Sequence, residues 1–356
     1  MGSLTLTRAK HLAFVVAAAL LTVFVMLVGI LAADLYLPQR AERSAGLNRW
    51  GYRGPIVGRK QPGEVRVALL GGSTMFGYGV TWEEAIPALL ERDLNQRFPE
   101  RTWRGLNLGY NTEGAFAFLP NLKVFEHLDY DVVGLYEGYN DMVGDEGPNL
   151  VVVREQSPIF RATGYFPILP LAFREKAMAL RSGGDIEASY VASRGGPATT
   201  VFRPGVASRT SAGALDAAAA IADSMGRQFE HLSDKTAVPS ISRQLGCSSP
   251  WLAYCDSVYR AVRYALDRGT RVLVMGQPRP ADASGRARHE DQQRALAEML
   301  ARQFGNEPRV MYLSLATAVD LTDVDKSFDQ MHLSVDGNRL VSAAMTEAVH
   351  RMALTP

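Results

Sequence analysis

Apolar positions fall into three kinds of run along the chain. The first is continuous: residues 12–33 form a 22-residue stretch without a charge, long enough at about 1.5 Å per residue to cross a hydrocarbon core as a helix. The second kind is short and bounded by polar or Gly-rich breaks. Residues 67–70, 103–108, 131–136, 271–275 and 309–313 read as strands of this kind, and brief apolar runs are what a parallel sheet covered on both faces requires. The third kind recurs every three or four positions. It predicts helices over 82–97, 113–127, 251–267, 290–304 and 335–352, with Thr81 placed to cap the first. Strands alternating with helices of this length predict a three-layer α/β/α sandwich on a five-stranded parallel, flavodoxin-like sheet, preceded by one transmembrane helix.

The same pattern divides the chain. Residues 1–11 form a short tail, 12–33 the membrane span and 34–64 a connector punctuated by Asn48, Gly51, Arg53, Gly54 and Pro55. Residues 65–354 form the α/β domain. An insertion at about 142–250 is far longer than a plain crossover needs. Within it, 157–173 is aromatic and proline-rich, the pattern of a packed loop over the core or of a lid, and 215–232 reads as an amphipathic helix. Leu31, Ala32 and Ala33 end the apolar run in small residues, as a signal-peptide cleavage site would. The run is longer than a usual signal core, which favours a retained anchor. Arg8 and Lys10 on the short N-terminal side favour a cytoplasmic tail, with the rest of the chain across the membrane on the periplasmic side.

Composition narrows the partners. The 38 basic and 37 acidic residues nearly cancel, so no long-range field recruits a nucleic acid. Two cysteines, Cys247 and Cys255, lack the second pair or the histidines of a structural zinc site. Neither a metal nor another cofactor is expected. If the domain is exported, the two cysteines are expected to form a disulfide.

Candidate chemistry sits at the ends of the expected strands. Gly71, Gly72 and Ser73 follow the first strand directly, placing a hydroxyl in the crevice where open α/β sheets carry their sites. A serine needs a base to attack an ester at neutral pH, and histidine is the usual one. His332 stands before the last helix, with Asp329 three residues earlier and able to fix its tautomer. Glu137, Gly138, Tyr139, Asn140 and Asp141 form a polar loop after the third strand, and Gly109 follows the second.

Gly71-Gly72-Ser73, Gly109, Gly138-Tyr139-Asn140-Asp141 and Asp329-x-x-His332, in that order, resemble the four blocks of the SGNH (GDSL-like) hydrolase family. The resemblance covers about residues 65–352 outside the insertion. It implies Ser73 as nucleophile, His332 as base and Asp329 as its orienter, with Ser73, Gly109 and Asn140 as the oxyanion hole. It implies a serine esterase acting on an acyl or acetyl ester, without a cofactor. The anchor and the aromatic residues Tyr165, Phe166 and Phe173 of the insertion, which could stack on sugar rings, point to an acylated cell-envelope glycan as substrate. A glycan O-acyltransferase on the same fold and an inactive, anchored glycan-binding scaffold are the alternatives. Two departures from the family pattern stand out. The family's Asp before the serine is Gly72 here, and Gly114 competes with Gly109 for the second block, where the glycine directly before the helical pattern is preferred.

Overall fold

The computed structural model describes residues 2–41, 47–136, 138–142, 149–167, 245–247 and 250–355. The helix expected at 215–232 and Phe173 lie outside the described residues. Five strands form one sheet: β1 (Glu64–Gly71), β2 (Thr102–Asn107), β3 (Val132–Tyr136), β4 (Arg271–Gly276) and β5 (Val310–Ser314). Every neighbouring pair is parallel and the order is β2-β1-β3-β4-β5. This is the flavodoxin-like order expected from the sequence, and it puts a topological switch point between β1 and β3.

The strands show why an all-apolar run suits this position. Along β1, Val65, Val67 and Leu69 pack on one face of the sheet and Ala68 and Leu70 on the other, as the two-residue period of a strand dictates. On the first face lie α3 (Ile86–Arg97) and the last helix, α9 (Val335–Leu354), through Ile86, Leu90, Leu94, Val341, Met345 and Val349. The second face is covered by α4 (Phe118–Val124), α7 (Leu252–Asp267) and α8 (Ala283–Phe304). Buried residues of α7 at Tyr254, Val258, Ala261, Val262 and Ala265 keep the three- and four-residue spacing of one helical face.

Three helices differ from the sequence expectation. At 82–97, Thr81 opens only a 3-10 turn over Trp82–Glu84, and α3 begins at Ile86 after an extended Ala85. The pattern at 113–127 becomes a 3-10 turn over Ala115–Ala117, then α4, then a second turn over Glu126–Leu128. No helix opens at Glu113 because Gly114 after it is extended, while the Glu113 carbonyl accepts from Asn140 Nδ2 and its carboxylate from Asn121, Val153 and Arg154. α8 starts seven residues before the expected 290, at Ala283, where Asp282 Oδ1 accepts from Gly285 N at 2.7 Å and caps it.

The N-terminal helix α1 (Gly2–Ala41) contains a 22-residue segment, Ala13–Asp34, of mean hydropathy 2.9, whose most apolar window has no buried residue and whose last residue, Asp34, is buried. It is long and apolar enough to cross a membrane. Beyond it the expected connector is partly core: Leu47 and Tyr52 are each 1% exposed and pack in the same cluster as Leu70, Leu106 and Phe125. A tight turn holds them there, with Asn48 Nδ2 donating to Gly54 O and Asn48 N to Tyr52 O.

The stretch at 157–167, which opens with α6 (Pro158–Thr163), resolves in favour of packing. Phe160 and Phe166 are buried against each other and Phe166 against Tyr110, so Phe166 is no platform for a sugar. Tyr165 donates its hydroxyl to Asp34 Oδ2 at the end of the apolar segment, and burial together with that carboxylate pushes the phenol up from its ordinary pKa. Cys247 and Cys255 are disulfide-bonded, with Cα atoms 6.4 Å apart.

Candidate active site

Ser73 is the first residue of α2 (Ser73–Phe76), a single turn that leaves β1 through Gly71 and Gly72. The turn is tight enough to exclude side chains: a Cβ on Gly71 would lie 2.3 Å from Tyr136 O and 2.7 Å from Met75 Cβ. After β5 the chain returns over the carboxyl ends of the strands, burying Leu315, Val319, Leu321 and Leu333 with Leu69 and Met275. It then turns sharply at Gln330, whose φ is +65°. Ser327 Oγ and Phe328 N both donate to His332 O and close this turn.

The turn delivers the imidazole to the serine. His332 Nε2 is 2.7 Å from Ser73 Oγ, and His332 Nδ1 is 2.7 Å from Asp329 Oδ2. The other carboxylate oxygen, Oδ1, accepts from the backbone amides of His332 and Met331 at 2.6 and 3.1 Å. An ionised carboxylate only accepts, so Nδ1 carries the proton and Nε2 is left to accept from the Ser73 hydroxyl. The side chains of His332 and Asp329 are 4% and 3% exposed, which shields the pair from competing water. Two more rings flank the imidazole: Tyr78 at 4.7 Å between centroids, and Phe328, nearly parallel, at 5.9 Å.

Asn140 lies in α5 (Tyr139–Met142), the short turn after β3 and across the switch point from Ser73. Its Nδ2 donates to Glu113 O at 2.8 Å, which fixes the plane of the amide. A bridge ties this turn to the serine turn. Gln277, 1% exposed at the end of β4, accepts from Tyr139 N at 2.8 Å and donates to Thr74 Oγ1 at 2.9 Å. Asp141 accepts from Ala115 N at 2.9 Å, the capping role its residue type suits.

Gly109, expected among the oxyanion donors, follows β2 and packs against the serine turn. Its amide donates to Asn107 Oδ1 at 3.2 Å and its carbonyl accepts from Arg154 Nη2 at 3.3 Å. A Cβ there would lie 2.9 Å from Phe76 N and 3.1 Å from Gly71 O. The glycine is thus required by close packing beneath the serine turn, and Asn107 holds the amide. The competing Gly114 meets Asp141 and Asn149 instead.

Beneath these loops lies a buried ion pair. Arg154 and Glu113 side chains are 0% and 2% exposed, with Arg154 Nη1 donating to Glu113 Oε2 at 3.4 Å. Burial pushes the Glu113 carboxyl up, against the attraction of Arg154 and the hydrogen bonds from Val153 N and Asn121 Nδ2. Asn107, Gln277 and this pair were not among the sequence candidates. For Gln277 a signal existed, a polar residue immediately after an apolar strand; Arg154 lies in the insertion, where no pattern marked it.

No family model and no curated protein matches the chain. Among solved structures it is similar to an alpha/beta hydrolase enzyme from the metagenome of Lake Arreo, with 13% identity over 81% of this chain and 96% of that one and a TM-score of 0.41. It is similar to an acetyl xylan esterase variant from Geobacillus stearothermophilus, with 11% identity over 82% and 96% and a TM-score of 0.39. A member of the lipolytic protein G-D-S-L family from Veillonella parvula gives 8% identity over 81% and 99%, with a TM-score of 0.41. The fold described above stands on this chain's own strand order and packing.

Proposed function

We propose that the chain is a serine esterase that cleaves an acyl or acetyl ester. The observation that carries this reading is the continuous chain Ser73 Oγ, His332 Nε2, His332 Nδ1, Asp329 Oδ2, with both links at 2.7 Å. Ser73 Oγ attacks the ester carbonyl carbon while its proton passes to His332 Nε2. Asp329 stabilises the imidazolium that forms. The former carbonyl oxygen, now negative, is held by the Ser73 amide, which as the first residue of α2 has no partner within the helix, and by the Asn140 side chain. His332 returns the proton to the departing alcohol. Water, activated by the same imidazole, then attacks the acyl-serine and releases the acid.

The disulfide, and the two basic residues Arg8 and Lys10 ahead of the apolar segment of α1, support a single-pass anchor with the domain outside the cytoplasm, since lone close cysteine pairs persist in oxidising compartments. The experiment is a fluorophosphonate labelling of the purified chain followed by peptide mass spectrometry, alongside turnover of p-nitrophenyl acetate. Label on Ser73 and turnover abolished in Ser73→Ala are expected. Turnover that persists in Ser73→Ala at the wild-type rate would sink the reading.

A further inference from the structure

Arg53 lies in the stretch between the N-terminal helix and β1, before the first strand of the sheet. It is 4% exposed, and its guanidinium donates to three carbonyls of the loop that carries Ser73. Nη1 reaches Phe76 O at 2.5 Å and Gly77 O at 2.7 Å, and Nη2 reaches Val80 O at 2.6 Å. The same charge stands 4.2 Å from the centre of the Phe76 ring. Because α2 is a single turn, its last carbonyls have no further helix to bond to, and a cation at that end also complements the helix dipole. Asn107 reinforces the arrangement, donating from Nδ2 to Met75 O and Phe76 O at 3.2 and 3.1 Å and accepting Arg53 N on its carbonyl at 3.0 Å. Gly77, at a φ of +85°, makes room: a Cβ there would lie 3.2 Å from Arg53 Nη1 and 2.6 Å from Ala85 Cβ.

We propose that Arg53 is a positioning residue for the nucleophile, supplied by the membrane-proximal segment. By fixing the carbonyls of Phe76, Gly77 and Val80 it holds the Ser73 hydroxyl within reach of His332, and it pins Tyr78, between two of those anchors, against the imidazole. The proposal rests on the esterase reading above. A planar guanidinium suits the task because its fork serves several acceptors in one fixed geometry, whereas an ammonium is a single mobile point. The chain carries its own control. Arg66 is as deeply buried, at 2%, and donates to Leu128 O and Gly58 O at 2.7 Å each, but it does so at the start of β1, the end opposite Ser73.

The test uses the full-length chain in detergent, reading fluorophosphonate labelling of Ser73 and p-nitrophenyl acetate turnover per folded molecule, with folding followed by circular dichroism. Arg53→Ala is expected to lower kcat and the labelling rate by about 100-fold with KM little changed, the loss that attends a displacement of about 1 Å at a reacting group. Arg53→Lys should recover part of the rate, and added methylguanidinium should restore part of it to Arg53→Ala. Arg66→Ala should lose thermal stability to a similar degree and keep its rate. If Arg53→Ala and Arg66→Ala lose stability alike and both keep the wild-type rate, or if methylguanidinium raises only the melting temperature, the positioning role is overturned. A wild-type chain that never labels at Ser73 overturns the esterase reading itself, and the proposal with it, which is a different result from an active wild type with an active Arg53→Ala.

Discussion

At the residue scale, the arrangement of Ser73, His332 and Asp329 makes a claim about additivity. Members of one proton-transfer chain act as a unit, so Ser73→Ala, His332→Ala and the double variant should each lose roughly 10⁴-fold or more in kcat, the double no worse than either single. Asn140→Ala should lose less, about 10²–10³-fold, the scale of one oxyanion donor. Steady-state turnover of p-nitrophenyl acetate at matched secondary structure measures both, and multiplicative losses in the double variant would count against a shared chain. His289 supports a separate prediction. It is 1% exposed in α8 beside the Tyr139 ring, and both ring nitrogens lack a partner among the described residues. Burial, aided by the charge of Arg279, lowers its pKa from 6.5 to about 4. The folded state therefore refuses a proton that the unfolded chain binds. Its contribution is intact above pH 6.5 and is lost as the pH falls toward 4, a span worth about 3 kcal/mol at about 1.4 kcal/mol per pH unit. His289→Leu should flatten urea-unfolding stability between those limits; an unchanged slope would show that another group is responsible.

At the element scale, the parts most legible in the sequence were those whose neighbours are generic. The inner strands β1, β3 and β4 are short runs buried on both faces, so they could be read from apolar residues alone, and their helices from three- and four-residue spacing. The opening of α4 was not legible. There Glu113 and Gly114 answer to Asn140, Asp141 and Arg154, partners that only the fold brings close. The same holds for the surroundings of Gly109, whose amide donates to Asn107 Oδ1 and which Phe76 and Gly71 crowd. Arg53 is the sharpest case: flanked by Gly51, Gly54 and Pro55 it reads as connector, because nothing periodic marks a guanidinium surrounded by carbonyls. The meeting of Ser73, Asp329 and His332 was legible, since their residue types and order suit one hydrogen-bonded chain. The disulfide yields a prediction at this scale. It closes a loop of sequence separation 8 and joins the end of the insertion to α7. Chain-entropy reasoning gives about 2.5 kcal/mol for a loop of this size. A Cys247→Ala/Cys255→Ala variant should lose about that much in urea unfolding while keeping esterase activity; a loss below about 0.5 kcal/mol would mean that the bridge does not staple α7.

At the scale of the whole molecule, the N-terminal apolar segment and the domain differ in what they give to the fold. The apolar segment Ala13–Asp34 has no buried residues in its most apolar window, so removing it takes nothing from the core except the Tyr165 contact with Asp34. The following stretch is different in kind. Leu47 and Tyr52 are each 1% exposed within the core, and Arg53 is bonded to the serine loop. Burying one large apolar side chain contributes about 1.5–3 kcal/mol, so losing Leu47 and Tyr52 together removes about 3–6 kcal/mol, comparable with the whole stability of many domains. Two truncations separate the roles. A chain starting at Leu47 should leave the membrane fraction, melt within a few degrees of the full-length protein and keep its turnover of p-nitrophenyl acetate. A chain starting at Glu64, where β1 begins, should be unfolded or melt far lower and show no turnover. Thermal unfolding and activity of the two side by side decide the matter. Equal melting of both would place residues 47–63 outside the folded unit, and the functional boundary of the domain would then fall at β1.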